Sequence, residues 1–499
     1  MTYRSVALAL ILSVGTISAV QAQQLRVANI DTPPNRGDPT TGLSYQHTYA
    51  WEAFHDALTT VNADGKPAGR LAVSWENKTP DTWVFKLRPG MKFHSGAPFN
   101  ADSIVEMIKI LNSDDTKKFG TVYYNTLRHI VEGRKVDDLT VEIRSSAPAP
   151  IVPSEMAAMR IVDPGKWQEL GRANYGNAPS GLGPFRVTSW DNLKVEMVRY
   201  DGGPRKAKVD GMTMYIMPEG ATRVQAFAAD NVDIALGIPS DSAKQVTNAK
   251  GTVNVGRNPS VVTVSFIQDK GGYTTDQRVR TAFNLAVDKS YTETLLNNYT
   301  KPSGQPAART VNGYQADINP YPYDPAKAKA LLAEAGFGNG LKSTMEVVTS
   351  NADLANVLQR VAQDLGKVGI AADLKIITGP DLSARNAGTK PYEGEMIIAN
   401  YGSNPAMDMM RPINAFHACN FPRKWKCFPE IEPVIAAANT EMDFNKRNAL
   451  LRQIALFYHE KAPDLFLYDQ IELDATQARV KNYKNENWRI NWADVEMTR

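Results

Sequence analysis

The sequence holds only two cysteines and six histidines, and its formal net charge is just +3 over 499 residues. No run of Lys or Arg exceeds two residues, which excludes the concentrated basic stripe of a nucleic-acid binder. After residue 22 no apolar run approaches the ~20 residues needed to span a bilayer. The usual catalytic signatures are missing as well. There is no His-Glu-x-x-His, no Gly-x-Ser-x-Gly, no phosphate loop and no dinucleotide fingerprint. The segment Gly181–Phe185 (GLGPF) has two of the glycines of such a fingerprint, but its prolyl turn reads as a structural bend. The histidines, His47, His55, His94, His129, His417 and His459, are scattered, and none has a second histidine three or four residues away. His94 and Ser95 are neighbours in sequence, and adjacent residues of a strand or turn point apart. What survives on the catalytic side is a hydrolase built from dispersed residues.

What is present begins at the amino end. MTYR gives a short basic start, residues 5–20 are apolar, and VQA precedes Gln23. These are the three parts of a secretory signal peptide over residues 1–22, cleaved after about Ala22, and the apolar stretch is too short for a membrane anchor. No cysteine follows the cleavage site, which argues against a lipid anchor. The remainder, in a chain 43% hydrophobic and 22% charged, has ordinary globular composition and the length for two or three domains. In an exported protein, the close pair Cys419 and Cys427 reads as one disulfide, and closing so small a loop contributes roughly 2–3 kcal/mol. The competing reading is a metal site with His417, although zinc sites normally show four ligands in paired spacing.

The pattern is mixed α/β with hairpins, in at least two lobes. Leu25–Ile30 reads as a strand, followed by a turn-rich stretch that leads into YQHTYAW (Tyr45–Trp51), taken as loop. Trp83, Phe85 and Leu87 alternate with Val84, Lys86 and Arg88 at strand period. Asn100 caps a helix whose Ile104, Met107, Ile108 and Leu111 share one face. Further on, Asp324 caps a helix with Pro325 at its first position and Gly336 at its end. A β-α-β series follows over residues 344–376. The apolar run Met396–Ala399 stops at Asn400-Tyr401-Gly402-Ser403-Asn404-Pro405, a buried strand opening into a loop, which is where ligands bind in α/β sheets. Aromatics are 9% of residues and cluster at Tyr45–Trp51, Val122–Asn125 and Asn400–Gly402. In a loop, a tyrosine both stacks and hydrogen-bonds.

The stretch TWVFKLRPGMKFHSGAPFNADSIV, from Thr82, resembles the signature of the extracellular solute-binding proteins of family 5, the oligopeptide/dipeptide/nickel type that serve ATP-driven (ABC) importers. SGLGPFRVTSW, TTDQRVRTAFNLAVDKS and YDPAKAKALLAEAGF are similar to further family segments. CNFPRKWKCFPEIEPVI resembles the cysteine-bounded loop of the dipeptide-binding branch, in keeping with a disulfide.

The resemblance implies a two-lobed periplasmic-binding-protein fold of type II with an extra subdomain in the first lobe, and a ligand cleft between the lobes. The expected division is 23–268 for lobe I with the subdomain at about 50–175, 269–475 for lobe II, and 476–499 returning to lobe I. It implies a monomer in the periplasm without cofactor, metal, nucleic acid or enzymatic activity, whose partners are a peptide or other small solute and the importer's permease subunits. The expected contacts are Tyr45 and His47 in the first loop region, Tyr123 and Tyr124 in a subdomain loop, and Asn400, Tyr401, Asn404 and Asp408 after the Met396 strand. Peptide-binding members carry an aspartate before the proline, where this chain has Asn404. The dipeptide branch carries an arginine in the stretch matching VVTSNADLANV, where this chain has none before Arg360. An amide binds an ammonium group less strongly than a carboxylate does. Asn404 therefore favours a less cationic solute, such as a modified peptide, opine-like conjugate or glycoside, over a free dipeptide. The resemblance keeps a peptide or peptide-like solute as the first reading, with an opine, a glycoside or a nickel chelate, for which His47 and His417 are the candidate ligands, as the non-peptide alternatives.

Overall fold

The structure is a computed structural model that describes residues 23–348, 352–386, 388–419 and 425–498. The signal-peptide reading of residues 1–22 lies outside it. Among the described residues no helix is long and apolar enough to cross a membrane.

A twelve-stranded mixed sheet runs through the molecule. At one end lie Ile370–Ile376, Leu341–Val347 and Met396–Asn400; at the other lie Gln24–Asn29, Gly211–Ile216, Lys194–Arg199 and Phe185–Trp190. Joining them are two long antiparallel strands, Thr252–Phe266 and Asp464–Thr476. The hydrophobic clusters change along these strands. Leu473 and Ala475 pack with Ala28 and Ile234's neighbour Ala235 at the first-lobe end, whereas Val264, Phe266 and Leu465 pack with Phe283 and Met345 in the second. A separate four-stranded antiparallel sheet, Ala72–Thr79, Thr82–Leu87, Thr140–Ser145 and Ile130–Asp137, packs against the helix Ala101–Asn112 with its own core. This is the two-lobed architecture with an added subdomain.

Local chemistry accounts for the elements that position the site. Asn100 accepts from the Ser103 N–H, and Ser103 answers through a bond from the Asn100 N–H. Ile104, Met107, Ile108 and Leu111 are all buried. The Asp324 carboxylate accepts from the Lys327 N–H at 2.9 Å, and Pro325 opens the helix Pro325–Glu334.

Two loop assignments are corrected. Tyr45–Phe54 is an α-helix, buried on several sides through Tyr49, Trp51, Ala53 and Phe54; because polar Thr48 and Glu52 are buried with them, the sequence shows no clean amphipathic period. Thr121–Leu127 is also helical, so Tyr123 and Tyr124 sit on a helix rather than a loop.

Candidate functional site

The ladder between Thr252–Phe266 and Asp464–Thr476 is interrupted between Arg257 and Val261. The intervening residues are Asn258, Pro259 and Ser260. Proline has no N–H for a ladder, and a bulge of this kind turns side chains out of the sheet's alternation. The carbonyls it frees are taken by the loop after Met396–Asn400. The Tyr401 N–H donates to Val261 O at 2.9 Å and the Ser403 N–H to Pro259 O at 2.8 Å. The loop then folds on itself through Met407 N–H to Ser403 O at 2.8 Å, across a cis Asn404–Pro405 bond, and Arg411 Nη1 donates to Gly402 O at 2.5 Å.

Around this junction buried polar atoms accumulate without a hydrogen-bond partner in the chain. They are both amide atoms of Asn258, Oγ of Ser260 and Ser403, Oδ1 of Asn404, Oγ1 of Thr310 and Nε of Arg411. Asn258, Ser260, Ser403 and Asn404 are each 5% exposed or less. Most buried polar groups in folded proteins are paired, and leaving one unpaired costs about 1–3 kcal/mol. A polar partner or water placed at this junction would pair several of them at once. The junction lies where the lobes meet. Val61 and Ala157 of the first lobe share a hydrophobic cluster with Tyr401, Met407 and Ile413 of the second. Gly65 approaches so closely that a Cβ there would stand 2.8 Å from the Thr310 carbonyl, and its φ of +75° also favours glycine.

Electrostatics single out Arg411. Burial pulls its guanidinium down to about 10, and the first-lobe Glu155 only partly opposes this. Arg411 is therefore still charged at neutral pH, yet it forms no ion pair among the described residues. Glu155 is engaged by His129, whose Nε2 lies 2.8 Å from its Oε2. Burial opposes a charge on His129, but the Glu155 carboxylate outweighs it and raises the imidazole pKa.

The residues singled out from sequence fall into distinct settings. Asn404 is in the unpaired cluster, and Asn400 is exposed at the strand end beside Gly402. Tyr401 is fully buried: its hydroxyl donates to Asp464 Oδ2 at 2.5 Å, and its ring stacks on His417 with centroids 4.1 Å apart. Lys426 Nζ reaches the same carboxylate at 2.5 Å, which makes a buried ion pair behind the loop. Asp408 is saturated by Arg447 at 2.6 and 2.9 Å, by Asn312 Nδ2 at 2.8 Å and by the Met410 N–H at 3.0 Å. In the first lobe, His47 sits edge-on to Trp51, with Nε2 3.7 Å from Asp31 and Nδ1 unpaired. Burial lowers its pKa against the pull of Asp31. Tyr123 is buried in the subdomain core with an unpaired hydroxyl, its pKa raised by burial, and Tyr124 is half-buried against the same core. The Tyr45 side chain lies outside the described residues.

Cys419 and Cys427 are bonded to each other, which removes the reading of a metal site with His417. His417 is stacked inside the second lobe, and among the described residues no group of three His, Cys, Asp or Glu is placed to hold a metal. Sequence reasoning passed over Asn258, Ser260, Thr310, Ser403 and Arg411. One signal was available: the polar triplet Asn258-Pro259-Ser260 breaks an otherwise β-rich run.

The chain belongs to the bacterial extracellular solute-binding proteins, family 5, whose middle region matches residues 66–421. Proteins of this class bind a solute. It is 29% identical to the glutathione-binding protein GsiB of Pectobacterium atrosepticum, over 90% of this chain and 89% of that protein. It is 26% identical to di/tripeptide-binding protein 2 of Pseudomonas aeruginosa, over 95% of each. In structure it resembles the periplasmic binding protein DppA of Helicobacter pylori, solved with the peptide STSA, with a TM-score of 0.80 at 20% identity, over 95% of this chain and 98% of that one.

Proposed function

We propose that this protein is the solute-binding component of an ATP-driven importer. It captures a peptide or peptide-like small solute in the periplasm, closes its lobes over it and hands it to the permease subunits. The observation that carries this reading is the cluster of buried, unpaired polar groups where the Asn258–Ser260 bulge, the 400–411 loop and the first lobe converge. A ligand placed there would satisfy those groups in a setting shielded from water, where hydrogen bonds gain strength. It would favour the closed arrangement by its differential affinity for it. The names of the relatives, glutathione and di/tripeptide binders, support a peptide-type solute.

Within that reading the contact set is Asn404 and Asn400 from the second lobe and Tyr45, His47 and Tyr124 from the first, while Tyr123 lies in the subdomain core. Tyr401 and Asp408 stand behind the wall and hold the loop in shape. The protein acts as an exported monomer, after removal of residues 1–22, and as a binder rather than an enzyme. Calorimetric titration with dipeptides, tripeptides and glutathione, run beside a peptidase and esterase assay, tests this. Saturable binding at one site per chain without product release is expected; turnover without saturable binding would favour the exported-hydrolase alternative.

A further inference from the structure

Arg411 carries a charge that the fold does not use. Its neighbour Asp408, three residues away, is fully taken up by Arg447, Asn312 and the Met410 N–H. Glu155, the carboxylate that most influences Arg411 from the opposite lobe, is paired with His129. Arg411 itself is fixed by one bond, Nη1 to Gly402 O, while its buried Nε has no acceptor in the chain. The loop that holds Arg411 is tied to the bulge by the Ser403 N–H to Pro259 O bond, and the side chains of that junction, the Asn258 amide and the hydroxyls of Ser260 and Ser403, are neutral and also unspent. Ser260 Oγ lies 3.9 Å from where a Cβ on Gly402 would stand, so the bulge and the residue whose carbonyl Arg411 grips are neighbours. A buried guanidinium with a free Nε and no ion pair among the described residues, on a loop joined to neutral hydroxyl and amide groups, suits a carboxylate, with charge-assisted bonds of about twice the neutral strength. The same loop offers a cationic group only neutral acceptors, such as the Asn404 amide oxygen, since its one carboxylate, Asp408, is spoken for.

We infer that Arg411 anchors a carboxylate of the ligand, and that the solutes taken are small carboxylic acids bearing amide or hydroxyl groups, with no requirement for a free ammonium end. This rests on the solute-binding reading above and adds to it the polarity of the ligand in the cleft.

The test uses matched pairs on the mature protein: dialanine against its C-terminal amide and its N-acetyl derivative, and glutathione against its diethyl ester. Binding is read by calorimetry on wild type, Arg411→Gln and Arg411→Lys. For each acid that binds, the amide or ester is expected to be at least about tenfold weaker, and N-acetylation to have little effect. Arg411→Gln is expected to hold acid and amide equally weakly, with Arg411→Lys restoring part of the difference. Should Arg411→Gln fail to fold, the acid–amide difference on wild type decides alone. Equal affinity for acid and amide, or an Arg411→Gln protein that keeps its preference for the acid, would overturn the anchor. So would a panel in which no acid binds. Saturable binding of the neutral members only would leave the solute-binding reading standing while removing this one.

Discussion

Asp408 and Arg411 are three residues apart on one loop, and their surroundings give them opposite uses. The Asp408 carboxylate faces Arg447 and is 1% exposed, so it is a buried half of an ion pair. Removing one partner of such a pair leaves the other charge buried and uncompensated, at a cost of about 3–5 kcal/mol. Asp408→Asn is therefore expected to lose stability of that order in denaturant unfolding of the ligand-free protein. Weakened binding with unchanged stability would instead make Asp408 a ligand contact. Sequence alone marks Asp408 as the contact and passes over Arg411, because what separates their roles is non-local. Arg447 lies on the helix Phe444–Lys461, and no local spacing rule connects it to the loop. Tyr401 illustrates the same limit: a loop tyrosine invites a stacking role, yet Asp464 from the return strand claims its hydroxyl.

At the scale of elements, the signature turn around His94 holds the GLGPF bend rather than doing chemistry. The Gly181 N–H donates to His94 Nδ1 at 3.3 Å, which leaves Nε2 to donate to Gly183 O at 3.1 Å, so the imidazole is held neutral. Ser95 turns away and donates to Asp163 Oδ2 at 2.6 Å. Burial lowers the His94 pKa to about 4, and likewise that of His55, bonded to Gly37 O, to about 3. An unfolded histidine takes up its proton near pH 6.5. Between 6.5 and 4 the unfolded chain thus binds more protons than the folded one, and stability falls as the pH falls. The thermal midpoint should drop across that window, and His94→Asn should flatten part of the slope; an unchanged slope would contradict the assignment. Elements with strong local signals were legible in the sequence, such as the capped helices Ala101–Asn112 and Pro325–Glu334. Of the two long strands that join the ends of the sheet, Thr252–Phe266 is not legible as a strand and Asp464–Thr476 is legible only at its start, DLFLYD. Both are largely buried in a sheet covered on two faces, which erases alternation, and one is broken by Asn258-Pro259-Ser260.

For the whole molecule, the subdomain, the first lobe and the second lobe have separate cores, and among the described residues the sheet is continuous between the lobes only through the strands Thr252–Phe266 and Asp464–Thr476. The site sits on the irregular part of one of them. A ligand at the proposed site would bridge the bulge, the 400–411 loop and the opposite lobe at once, which would couple its binding to closure. The family was readable from its motifs because those motifs hold the scaffold; the ligand was not, because the groups that would meet it come from segments distant in sequence. The most direct test is native mass spectrometry of the protein taken from the periplasm under non-denaturing conditions. The expected result is one small carboxylic acid retained per chain and lost in Arg411→Gln, with the wild type bound more compactly than free in solution scattering. A wild-type protein that retains nothing, binds no added solute and does not change shape would contradict the central claim.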